Sequence, residues 1–354
     1  MSAPGARSRL VLAVVWFGVG SALVWVAVWL TWTRGTALLS GHPALLVVII
    51  ASALTGLLAL VWSVATLAVG DRLDREGERQ NPVRRTKAQR ARLARRRIIL
   101  AVPALLASAV LFVTMIVARP VVATATAQEA LYSQDGVDVV ERITWYELQP
   151  NKKNDVGGAF RPTTGLIFLP GARVDPRAYA ALLRPLARAG FLTVVLREPL
   201  GFSVMDRDHA QTVIDRHPEI ESWAVGGHSL GGVVAASFAD SHPQVKGLVL
   251  YAAYPAAALH RTDLQVVSIY GGADERTTPA DIAKSKAHLP PATSYVEIPG
   301  AAHSSFGDYG PQPGDGQPSG DPAAARQQIR DSTQALLQSI VPPPPPPPAP
   351  PKRK

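Results

Sequence analysis

Residues 10–32, 44–69 and 98–118 contain no charged side chain, and that restricts what the front third of this chain can become. Each run is long enough for an α-helix to cross a hydrocarbon layer of ~30 Å. A helix satisfies its own backbone hydrogen bonds, as any segment surrounded by lipid must. Three buried helices of a soluble core are the alternative, and the length of the uncharged runs argues against it. The first run is too long for a cleaved secretory leader, and no A-x-A-like site follows it closely. Trp16, Trp25, Trp29 and Trp32 suit an anchored helix, those near its ends lying where amphipathic rings favour the membrane interface.

The formal net charge of +9 invites a nucleic-acid reading until it is divided by region. Residues 71–97 hold eleven Arg or Lys against four Asp or Glu, whereas residues 128–341 hold eighteen against twenty-three. The excess therefore belongs mainly to the loop between the second and third runs. Basic residues accumulate on the cytoplasmic side of membrane proteins. Loop 71–97 and the amino terminus, with Arg7 and Arg9, are thus expected in the cytoplasm, and everything after Arg119 outside it. This predicts a multi-pass protein of the cell membrane, with the bilayer as partner and no nucleic acid. A site for anionic lipid or nucleic acid in residues 84–97 competes for the same charges. The chain has no cysteine, which excludes disulfides, thiolate catalysis and cysteine metal clusters. The expected organisation is a membrane region over 1–119, a junction over 120–136, an exported domain over 137–341 and a Pro-rich basic tail over 342–354. The tail reads as a polyproline II spacer.

Within the exported part, residues 137–148 alternate apolar and polar, as an edge strand or hairpin would. From Gly165 an α/β rhythm begins. Apolar strands are expected at 165–169, 191–196, 221–225, 245–253, 264–272 and 294–298, separated by helices near 176–189, 206–216, 233–239, 279–289 and 322–340. Asp175-Pro176 supplies an N-cap and first helical residue, and Gly190 a stop. Such a pattern argues a mostly parallel sheet covered by helices on both faces, with ligands beyond the carboxyl ends of its strands.

At one such end stands Gly227-His228-Ser229-Leu230-Gly231, which fits G-x-S-x-G, a sharp strand-to-helix turn that leaves a serine hydroxyl exposed. A serine that merely caps the following helix is the competing reading. A serine nucleophile needs a base, and the base an orienting carboxylate. Asp274 follows the strand ending at 272, and His303 the strand ending at 298; the order Ser229, Asp274, His303 is nucleophile, acid, base. Glu275 is the nearest rival acid, Asp206 and Asp208 more distant ones. Two preorganised donors should face the developing oxyanion. Leu230 N–H is the first, and the loop after 169 supplies the second: Pro170 has no N–H, so Ala172 comes first and Arg173 second. The Arg173 side chain is expected in a surface ion pair, with contact to an anionic substrate as the competing reading. The acids of 311–321 lack the spacing of a calcium loop, and no cofactor or metal is expected.

From about Thr164 to Ile340, roughly half the chain, the sequence resembles the α/β-hydrolases, and among them the compact fifth subgroup related to dienelactone-hydrolase-like proteins. The stretches that carry the resemblance are LPGARVDPRAYAALLRPLARAGF, HPEIESWAVGGHSLGG, SIYGGADERTTP and AAHSSFGDYGPQPGDG. It implies the α/β-hydrolase fold, Ser229, Asp274 and His303 as a triad, and an oxyanion donor after Gly171. The membrane region is an addition to the family pattern. Larger relatives insert a lid where this chain has only about 254–263, so an open site for small or exposed esters is expected, lined by Phe202, Met205, Tyr254 and Phe306. Ester hydrolysis, acyl transfer to a cell-envelope acceptor, and a non-catalytic envelope binding protein are the three functional readings; substrate and oligomeric state are not legible.

Overall fold

The computed structural model describes residues 4–80, 87–151 and 160–343. Residues 81–86 of the expected cytoplasmic loop and 344–354 of the tail lie outside the described residues. The chain divides into two compact units, the first holding residues up to Leu39 together with Pro43–Arg119, the second Ser40–His42 together with Pro120–Lys354.

The first unit comprises α1 (Pro4–Ser40), α2 (Pro43–Gln80) and α3 (Lys87–Val117). Their apolar portions, Leu10–Ser40, Pro43–Ala68 and Ile99–Val117, are long and apolar enough to cross a membrane. Helix α1 continues past residue 32, where the uncharged run ends, because nothing breaks it before Gly41 and Pro43. Small residues let α1 and α2 touch: a Cβ added to Gly20 would lie 2.7 Å from the carbonyl oxygen of Gly56. In a bilayer such contacts would substitute for the hydrophobic drive that lipid cannot supply between helices.

The second unit is an eight-stranded sheet. Its strands are β1 (Val137–Glu141), β2 (Trp145–Pro150), β3 (Thr164–Leu169), β4 (Leu192–Leu196), β5 (Ser222–His228), β6 (Val245–Tyr251), β7 (Gln265–Gly271) and β8 (Ser294–Ile298), in the spatial order β1-β2-β4-β3-β5-β6-β7-β8. The hairpin β1–β2 joins β4 antiparallel, and every pairing from β4 to β8 is parallel. Side chains alternate across a strand, and β3 shows the result. Leu166 and Phe168 enter one apolar cluster with α5 (Ala180–Ala189) and α9 (Pro322–Ser339), while Ile167 and Leu169 enter a second with α6 (His209–Arg216) and α7 (Leu230–Ser241). All six residues of β3 are buried. Helix α8 (Pro279–Ser285) is closed by a capping box from Thr278 and Asp281 and ends earlier than the sequence suggests, in a 3-10 turn over Lys286–His288.

The stretch 120–136 is more than a junction. It contains α4 (Ala125–Glu129), and Ala123 and Ala127 are buried in the first cluster. Ahead of α4, Val121 N–H donates to the Arg173 carbonyl at 2.8 Å, Asp175 N–H returns a bond to the Val121 carbonyl at 2.9 Å, and Thr124 N–H donates to the Asp308 carbonyl at 2.8 Å. Short runs of small residues carry no periodicity, so this strap gives little sequence signal.

Candidate active site

Ser229 connects β5 to α7 with φ 53° and ψ −123°. A non-glycine residue held there costs on the order of 1–3 kcal/mol, so the surroundings must enforce it. They do so by crowding. A Cβ on Gly227 would stand 2.4 Å from the Gly231 carbonyl carbon, and one on Gly231 2.2 Å from the Leu169 carbonyl oxygen. The Ser229 N–H is fixed by the Tyr251 carbonyl at 3.0 Å. Although Ser229 occupies the N-cap position of α7, its side chain makes no capping hydrogen bond, which removes the helix-cap reading of the motif.

Asp274 and His303 are both buried. The Asp274 carboxylate is aimed by its own turn, Oδ1 accepting the N–H groups of Arg276 and Thr277 at 2.8 Å each. Oδ2 faces Nδ1 of His303 at 2.8 Å. The contact suits the tautomer with its proton on Nδ1 and a lone pair on Nε2, the one a base requires. The His303 ring packs on that of His228, with centroids 4.5 Å apart, and His228 immediately precedes Ser229. Among the described residues no hydrogen bond joins Ser229 Oγ to His303; in substrate-free sites such bonds are commonly long and tighten when substrate is bound. Glu275, Asp206 and Asp208 are exposed, and none of them pairs with His303.

Backbone donors sort themselves by what already engages them. Gly171 N–H donates to Tyr179 Oη at 2.9 Å, and Arg173 N–H to the Gly201 carbonyl at 2.7 Å. Arg173, the second choice from sequence, is thereby occupied. Among the described residues the N–H groups of Ala172 and Leu230 have no protein acceptor. Arg173 itself has φ +63°, which turns the chain sharply after Ala172. Its side chain forms no ion pair among the described residues, contrary to the expected surface pair.

Of the expected lining residues, Met205 and Tyr254 are exposed and Phe202 is half-buried. Phe306 is a correction. It is fully buried, its ring stacked near that of His228 and packed against Tyr251. The tight turn His303–Phe306 folds it into the core.

One contributor escaped the sequence reading. Asp315, within the loop 311–321, accepts the N–H of His303 on Oδ1 at 2.8 Å and that of Ser304 on Oδ2 at 2.9 Å. The loop also presses against the acid-bearing turn, since a Cβ on Gly316 would lie 1.8 Å from the Ala273 carbonyl oxygen. The Gly-Asp-Gly at 314–316 was the available signal, but nothing in its spacing says which N–H groups it meets. Among the described residues no group of three or more His, Asp or Glu is arranged to hold a metal ion.

Residues 165–328 match the family model described as the alpha/beta hydrolase family. No curated protein matches the chain. Similar solved structures include a ferulic acid esterase from Streptomyces cinnamoneus, at 18% identity over 52% of this chain and 69% of that one with a TM-score of 0.41. Another is TT1662 from Thermus thermophilus, at 16% identity over 57% of this chain and 98% of that one with a TM-score of 0.40.

Proposed function

We propose, on the premise that residues 165–328 form an α/β-hydrolase domain, that this chain is a membrane-anchored serine hydrolase that cleaves carboxylic esters through an acyl-enzyme. Ser229 Oγ attacks the ester carbonyl while Nε2 of His303 takes its proton. Asp274 holds the imidazole and stabilises the imidazolium. The N–H groups of Ala172 and Leu230 receive the oxyanion. His303 then protonates the departing alkoxide, and a water deprotonated by the same nitrogen releases the acid and restores Ser229. Met205 and Tyr254, both exposed, and the half-buried Phe202 are the residues expected to meet small or exposed esters. The basic residues of loop 71–97 favour a domain outside the cytoplasm.

The observation that carries the reading is a buried carboxylate–imidazole pair at 2.8 Å set beside a strained serine whose hydroxyl does not cap its helix. Ser229→Ala in the detergent-solubilised chain should abolish turnover of short p-nitrophenyl esters above background. Turnover equal to that of the unaltered protein would end the proposal.

A further inference from the structure

Two buried side chains take no part in the chemistry above. Tyr179 and His228 are enclosed, and Tyr179 Oη lies 2.9 Å from His228 Nδ1. The phenol also accepts the Gly171 N–H at 2.9 Å. It has a single proton to give, and among the described residues His228 Nδ1 is its remaining partner. Donation from Tyr179 to Nδ1 gives the phenol proton its partner and leaves His228 neutral with its proton on Nε2, a buried nitrogen that has no hydrogen-bond partner among the described residues. Burial holds the His228 imidazole well below the usual histidine range; His303 pushes the same way and the His303 backbone opposes it. At neutral pH His228 is therefore no second base.

The pair is built tightly against the loop after β3. A Cβ on Gly171 would fall 2.6 Å from His228 Nδ1 and 3.2 Å from Tyr179 Oη, so the glycine serves this contact rather than close approach to substrate. With the Gly171 N–H tied to the phenol, the following N–H, on Ala172, is left without a protein acceptor. The His228 ring also meets His303 at 4.5 Å between centroids.

We infer that Tyr179 and His228 are positioning residues: one buried pair turns the Gly171 N–H inward so that the Ala172 N–H faces the reacting carbonyl, and braces the base. This rests on the ester-hydrolysis reading. Its elements act as a unit, because the phenol aims the loop only while His228 accepts its proton.

The test is made in the full chain in detergent. Tyr179→Phe and His228→Leu should each lower kcat by about tenfold or more with KM nearly unchanged, the pattern of a lost transition-state interaction. Binding of a boronic acid that mimics the tetrahedral adduct should weaken in proportion. The double variant should lose no more than the worse single one. His228→Asn, whose side-chain oxygen can accept from the phenol, should recover much of the loss. A wild-type rate in Tyr179→Phe, or losses that multiply in the double variant, would overturn the inference. If Tyr179→Phe fails to fold by thermal melt, equal losses in His228→Leu and His228→Asn overturn it instead. Fluorophosphonate labelling of Ser229 in the unaltered protein separates the two failures. No labelling strikes the hydrolase reading itself, whereas normal labelling with an unimpaired Tyr179→Phe strikes the pair alone.

Discussion

Removing the Asp315 carboxylate should disable the base without touching it. Its two oxygens receive the N–H groups of His303 and Ser304 at 2.8 and 2.9 Å, at the start of the 3-10 turn that carries the imidazole. Hydrogen bonds to a charged group contribute about 1.5–3 kcal/mol each. Both sites are partly buried, so water restores some of the loss, and Asp315→Ala should cost about 2–4 kcal/mol. In a domain of this size that lowers the melting temperature by roughly 5–15 °C. Because a misplacement of ~1 Å can cost on the order of a hundredfold, kcat should fall by ten- to a hundredfold with KM little changed. Asp315→Asn, keeping one acceptor oxygen, should fall between. The assay is p-nitrophenyl ester turnover with the melting curve taken alongside, at a temperature well below every melting point so that unfolding does not contribute. An Asp315→Ala variant with unaltered kcat and melting temperature would show that the turn is held by its other contacts and that the reasoning is wrong.

Glu147 on β2 gives a pH prediction. Burial pushes its carboxyl up, but the His217 imidazole 3.4 Å away and hydrogen bonds from Trp145 and Gln149 outweigh that and bring it down to about 2. A depressed folded-state pKa contributes stability above the ordinary value of 4.5 and loses it as pH falls toward 2. The melting-temperature gap between unaltered protein and Glu147→Gln should therefore be wide at pH 6 and narrow steadily below pH 4.5; a gap constant with pH refutes this. Gly231→Ala would set a Cβ 2.2 Å from the Leu169 carbonyl oxygen, so it should destabilise the fold by about 1–3 kcal/mol or more and displace the elbow, with near-normal fluorophosphonate labelling as the contrary result. For orientation, protease added to intact cells should digest the domain after Arg119; full protection while a control protein on the outer face is cut would reverse the assignment.

The strands and the order of the site were legible because both follow from local pattern. Buried runs such as residues 165–169 stand between turn residues, and Asp274 and His303 each come within a few positions of a strand end. The sequence reading failed where a role depends on contacts between distant segments. Asp315 lies in a loop whose composition speaks only of turns, yet it grips N–H groups twelve and eleven residues away. Nothing in the sequence marks Tyr179 or His228, and only their 2.9 Å approach distinguishes them. Phe306 was misplaced for the same reason, since nothing local reveals that its turn points inward. Chain order alone put Ala172 ahead of Arg173, but the sequence does not reveal that Gly201, on another loop, occupies the Arg173 N–H.

Val121 and Thr124, only a few positions beyond the third apolar helix, are hydrogen-bonded to the loops at 173–175 and 308. Removing the chain up to α4, Val121 and Thr124 included, should therefore loosen both loops. It would withdraw a stave from the barrel hoop that holds the donor loop and the base loop in register. The peptide that follows the apolar helices thus also ties two loops of the candidate site, so a change in it should be felt at both.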